Sequence, residues 1–188
     1  VAIIDTGIDP DHPDLTANIE GVYSAVAPNP YTVDDHYGHG THVAGTIAAI
    51  NNEIGVVGVG PKIDLWIVKT SQGGILLLRD LLESYDFTIN TWLDSDPNNN
   101  IQVVSMSYGG GYSSAEDEML QKAWNMGMVL VAAAGNEGGA VIYPAALPYV
   151  VAVSAMNKND QITSWSNRGP EVDLAAPGSA VTSTYLRG

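Results

Sequence analysis

Short apolar runs recur along this chain, and polar, glycine-rich turns separate them from stretches whose apolar residues return at helical spacing. The runs are Val1–Ile4, Ile63–Val68, Ile101–Met106, Met128–Ala133 and Tyr149–Ser154, each rich in Val, Ile, Leu or Ala. Continuous runs of this length, without alternation, fit strands covered on both faces in a parallel sheet. Between them, Leu78, Leu81, Leu82, Tyr85, Ile89 and Trp92 trace one helix face, and Met119, Ala123 and Trp124 trace a second. Val43, Ala44, Ile47, Ala48 and Ile50 supply a third. Gly127 stands where a helix C-cap is expected. Strands alternating with helices predict an α/β fold with a mostly parallel sheet. The 188 residues read as one domain, with residues 94–100, Asp-Ser-Asp-Pro-Asn-Asn-Asn, as its most loop-like stretch.

In open parallel sheets, functional residues collect beyond the carboxyl ends of the strands. That rule singles out Asp5, Ser107-Tyr108-Gly109 and Gly135-Asn136, all of which follow apolar runs. Asp5, ahead of Thr6-Gly7, is by itself either a turn former or a charge that a partner must compensate. His39, flanked by Gly38 and Gly40, would project from the first turn of a helix that Gly40, Ala44 and Gly45 allow to pack closely. His39 and His42 could share a helix face as metal ligands do. No glutamate lies between them, however, no cysteine occurs, and no third ligand stands at a recognisable spacing. His42 therefore reads as a core histidine rather than a zinc ligand. Asn136, taken alone, is a turn residue after Gly135.

Several segments occur together in a fixed order: Ile4-Asp5-Thr6-Gly7, His39-Gly40-Thr41-His42-Val43-Ala44-Gly45, Ser107-Tyr108-Gly109-Gly110 and Ala132-Ala133-Ala134-Gly135-Asn136-Glu137-Gly138. Tyr143-Pro144-Ala145, Trp165-Ser166-Asn167-Arg168-Gly169-Pro170 and Ala175-Ala176-Pro177-Gly178 follow them. With these, the chain resembles the catalytic domain of subtilisin-family serine proteases, the S8-type subtilases. The resemblance implies a doubly wound sheet with helices on both faces. It also implies an Asp-His-Ser triad, in which Asp5 accepts the imidazole N–H of His39 and His39 acts as general base and then general acid. Asn136 matches the carboxamide that donates to the oxyanion of the tetrahedral intermediate.

The same resemblance makes Ser107, Tyr108 and Gly109 one wall of the first specificity pocket and an edge that pairs with an extended peptide. Ala133, Ala134 and Gly135 form the opposite wall. Ile142 takes a place where many relatives have glycine at the pocket floor. It would shorten the pocket, unless the short stretch 138–141 shifts the loop and points it elsewhere. The Gly-Thr-Ser-Met-Ala-type segment that carries the family's nucleophile does not occur among the 188 residues, and Ser107, Ser164 and Ser166 belong to other segments. The expectation is a partial peptidase domain whose serine lies beyond residue 188 and which is inactive by itself.

A structural calcium ion is the further cofactor that the resemblance implies. Asp14 and Asn52 would give side-chain oxygens and Ile50, Ile54 and Val56 backbone carbonyls, with one more ligand expected upstream of Val1. Composition narrows the partners. Seven basic against twenty-one acidic residues give a net charge of −14, which argues against nucleic acid or an anionic membrane. No apolar stretch is long enough to span a membrane. The family resemblance implies a secreted protein acting on extended peptide or protein substrates, with a pro-segment as a further partner. A non-catalytic relative that keeps the fold as a peptide-binding scaffold is the alternative, and it gives no reason to keep Asp5, His39 and Asn136 together.

Overall fold

The computed structural model describes residues 1–94 and 100–187, so most of the loop-like stretch expected at 94–100 lies outside the described residues. The chain divides into two compact units, Val1–Gln102 with Thr182–Gly188, and Val103–Val181. Both are built on parallel strands with helices between them, the α/β architecture that the apolar runs predict.

In the first unit, β1 (Ala2–Asp5) is followed by a 3₁₀ turn (Thr16–Asn18), β2 (Ile19–Ser24), α1 (His39–Ala48), β3 (Leu65–Lys69), the short hairpin β4 (Ser71–Gln72) and β5 (Ile75–Leu76), and α2 (Leu78–Leu93). Strand β3 lies between β2 and β1, parallel to both. The register sets Asp5 beside Lys69, so both strands end on a charged residue at the same level. Ile3, Ile8, Leu15, Leu65 and Ile67 pack with Ala44, Ala48 and Ala49 around α1 in one buried cluster. Each large aliphatic side chain buried there contributes about 1.5–3 kcal/mol. That outweighs the ~1 kcal/mol that each of Gly40 and Gly45 costs within the helix. Gly40 is required by proximity, because a Cβ there would lie 2.2 Å from the Gly7 carbonyl oxygen.

In α2 the buried face is Leu81, Tyr85 and Ile89, spaced i, i+4, i+8. Leu78, expected on that face, is the first residue of the helix and is exposed. Strand β2 is absent from the sequence expectation. Its residues, Ile-Glu-Gly-Val-Tyr-Ser, show no clean period, and its place comes from β3, where Gly21 leaves room for the Trp66 ring.

The second unit carries β6 (Val103–Met106), α3 (Ser114–Asn125), β7 (Val129–Ala133), β8 (Val151–Met156) and β9 (Val172–Pro177). The strands pair in sequence order, all parallel. The expected runs are thus found with ends shifted by one or two residues. Strand β9 is the exception: it is mostly exposed and ends on Pro177, and no apolar run announces it. Helix α3 begins where the Ser113 hydroxyl accepts the Glu116 N–H and carries Glu116 and Asp117 in its first turn.

Candidate active site

In the first unit, Asp5 and His39 meet. Asp5 is the last residue of a fully buried strand and His39 the first of α1, and His39 Nδ1 lies 2.7 Å from Asp5 Oδ1. The same oxygen accepts the Thr6 N–H at 2.7 Å. The Asp5 side chain is 4% exposed and that of His39 45%, so the carboxylate is enclosed while the far edge of the imidazole faces outward. The hydrogen bond His39 donates to Asp5 raises the His39 pKa above its ordinary 6.5 against the opposing effect of burial, and the charges of Asp5 and Asp35 add to the rise.

The start of α1 is fixed by groups that the sequence reading did not identify. Gly38 offers no side chain to cap the helix. Asp35 does this from upstream: Oδ1 accepts the Tyr37 and Gly38 N–H groups at 2.9 and 2.8 Å, and Oδ2 accepts the Thr41 N–H and hydroxyl at 3.0 and 2.8 Å. Burial pushes the Asp35 carboxyl up, but these bonds outweigh it and hold its pKa below 3.8. Thr6 adds a direct tie, its hydroxyl accepting the Gly40 N–H at 2.9 Å. Residues 183–185 lie along the same helix. Ser183 and Thr184 hydroxyls donate to the carbonyls of His42 and Thr41 at 2.8 and 2.7 Å. His42 itself is half-buried on α1, beside that segment, and not the core histidine expected.

Lys69 is the other unanticipated residue. Only 5% exposed, it donates from Nζ to the carbonyls of Thr6 at 3.0 Å and Asp34 at 2.5 Å. Burial lowers its pKa from 10.5, and Asp35 and Asp34 pull in the opposite direction.

The second unit holds the other expected site residues. Ala133, Ala134, Gly135 and Asn136 run off the end of β7, with Asn136 exposed. Ser107, Tyr108 and Gly109 run off the end of β6. Ile142 lies between these two stretches. Its N–H donates to the Ala134 carbonyl at 3.1 Å, and a methyl group on Gly109 would come 2.5 Å from Ile142 Cδ1. The turn bearing Asn136 is held by fully buried Asn167. Its Oδ1 accepts the Glu137 and Gly139 N–H groups at 2.9 and 3.0 Å. Its Nδ2 donates to Glu137 Oε2 at 2.8 Å, and that oxygen also accepts the Asn136 N–H at 2.9 Å.

The residues expected at the cation site also come together. Asp14 is fully buried, accepting the Asn52 amide on Oδ1 at 2.7 Å and the Val56 N–H on Oδ2 at 3.1 Å. Among the described residues no Lys, Arg or His side chain pairs with its carboxylate. The loop closes over the carboxylate at Gly55, where φ is +60° and a Cβ would fall 1.7 Å from Oδ2.

Comparison with known proteins identifies the family. The chain matches the model of the subtilase family over residues 1–187. It is 44% identical over 188 residues to a thermostable alkaline protease of Halalkalibacterium halodurans, covering 98% of this chain and 49% of that protein. With subtilisin E of Bacillus subtilis it shares 43% identity over 200 residues, covering 100% of this chain and 49% of the relative. With the minor extracellular protease Epr of the same species it shares 43% over 190 residues, 99% of this chain and 28% of the relative. The chain thus spans about half the length of the first two relatives. A family match along nearly every residue, with Asp5 and His39 paired at the end of a buried strand, places this chain in the subtilase family of serine endopeptidases.

Proposed function

We propose that this chain supplies the base, its orienting carboxylate and the oxyanion donor of a subtilisin-type endopeptidase. The observation that carries the reading is the His39–Asp5 hydrogen bond, from an imidazole with its other edge exposed to an enclosed carboxylate. With Asp5 holding the proton on Nδ1, Nε2 keeps its lone pair for a serine hydroxyl. His39 then takes the hydroxyl proton on Nε2 as the serine oxygen attacks the peptide carbonyl, and returns it to the leaving amine. Asn136 donates its exposed carboxamide N–H to the oxyanion. An extended peptide pairs with the backbone at 107–109 and 133–135, and Ile142, seated against Gly109 and Ala134, shortens the pocket between them. The nucleophile is a serine outside these 188 residues, and the protein works outside the cell, as the name of the relative Epr says of that protein.

The test is labelling by a fluorophosphonate reagent. The 188-residue chain should stay unlabelled, and a longer chain that includes a Gly-Thr-Ser segment should be labelled stoichiometrically. Labelling of the short chain at any of its own serines would overturn the assignment.

We also propose calcium at Asp14. The donors are all oxygens, one carboxylate, the Asn52 carboxamide and the carbonyls of Ile50, Ile54 and Val56, which suits a hard cation. The buried Asp14 carboxylate, without a cationic partner and cradled at Gly55, supports that reading. The ion's contribution is to the fold, by binding the native state alone. Calcium should raise the melting temperature, and Asp14→Ala should remove most of that gain. Identical melting curves in calcium and in chelator would exclude the site.

A further inference from the structure

We propose that Lys69 is a positioning residue for the Asp5–His39 pair, one ammonium that fastens the chain leaving Asp5 to the chain approaching His39. The proposal rests on reading that pair as the acid–base machinery. Its basis is geometric. Register places Lys69 directly beside Asp5 at the ends of adjacent parallel strands. From there a single Nζ reaches the carbonyl of Thr6, the residue after Asp5, and the carbonyl of Asp34, five residues before His39 and next to the carboxylate that caps α1.

A buried ammonium must be compensated, yet among the described residues Lys69 forms no ion pair. Its hydrogen bonds are to two backbone oxygens, and each lies on one of the two segments whose separation sets the Asp5–His39 distance. A lysine needed only to fill the strand end could be replaced by an apolar residue of the same length at less desolvation cost. Two carbonyls converging on one Nζ explain why a cation is retained there. Arginine cannot reproduce this, because its donors are spread over a planar fork rather than gathered on one atom.

The charged groups around the pair are Asp5 and Asp35 toward His39, and Asp34 and Asp35 toward Lys69. Removing Lys69 therefore has opposite signs under two accounts. Loss of a positive charge alone would favour protonated His39 and raise its pKa further. Loosening the Asp5–His39 bond would let that pKa fall back toward 6.5.

The test is an NMR titration of the His39 ring in the unmutated 188-residue chain, in Lys69→Met and in Lys69→Arg, with thermal melting alongside. The proposal expects His39 to titrate highest in the unmutated chain, lower in Lys69→Arg and lowest in Lys69→Met. An unchanged His39 pKa in a folded variant, with only the melting temperature reduced, would make Lys69 a purely structural residue and overturn the proposal. So would a pKa that rises in Lys69→Met and stays put in Lys69→Arg, the pattern of charge alone. Should the methionine variant fail to fold, the arginine variant decides by the same criterion. A titration of the unmutated chain at or below 6.5 is a different failure: it removes the Asp5–His39 pair itself, and with it anything for Lys69 to hold.

Discussion

The neighbourhood of His39 and that of Asn136 are built from different materials. Around His39 the organising side chains are charged and enclosed: Asp5, Asp35 and Lys69 are each 5–6% exposed. Around Asn136 the buried organiser is the neutral carboxamide of Asn167, and the one charged participant, Glu137, is exposed. The difference suits the two roles proposed for His39 and Asn136. A general base needs its proton affinity adjusted, and enclosed charges do that. An oxyanion donor needs chiefly a fixed direction, which the hydrogen bonds of Asn167 to the Glu137 and Gly139 N–H groups supply to its turn.

This contrast can be broken by mutation in a chain long enough to contain the serine. Asp5→Asn should lower kcat on the order of 10⁴-fold with little change in KM, the scale of losing the carboxylate that fixes the imidazole tautomer. Asn136→Ala should lower kcat by about 10²–10³-fold, the loss of one oxyanion donor. Steady-state kinetics on both variants would break the comparison if the two losses were equal, or if either appeared in KM instead. A smaller effect sharpens the account of the second unit. Ile142→Gly should raise kcat/KM for large aromatic side chains before the cut, relative to small ones, by about tenfold. An unchanged ratio would mean that Ile142 does not bound the pocket.

The parts legible in the sequence are those in which local pattern and chemistry coincide. Asp5 ends an apolar run, His39 opens an apolar helix face, and Asn136 follows another run, so each could be placed on its element without knowing its neighbours. Lys69 and Asn167 were not legible, because their partners are mainly backbone groups that only the fold brings near, whereas Asp35 caps N–H groups two to six residues ahead and lay within reach of the local pattern. Lys69 bonds a carbonyl 63 residues away, and Asn167 an N–H 30 residues away. Lys69 did carry one usable signal, the same as Asp5: a charge at the end of an apolar run. Strands β2 and β9 were missed for a related reason. Neither is apolar enough to be a strand in isolation, and each is held by pairing with a single described neighbour.

The raised His39 pKa has a definite sign. A group that binds its proton more tightly when folded stabilises the fold fully below its unfolded pKa, about 6.5, and loses that contribution as pH rises through its folded value. In a complete enzyme kcat/KM should rise across the same window, because only neutral His39 can accept the serine proton. The most direct test of Asp5 as the orienting carboxylate is to titrate the His39 ring by NMR in this chain and in Asp5→Asn. The account predicts a pKa above 6.5 in the unmutated chain and a clearly lower one in Asp5→Asn, with both proteins folded. The same pKa in both would contradict it.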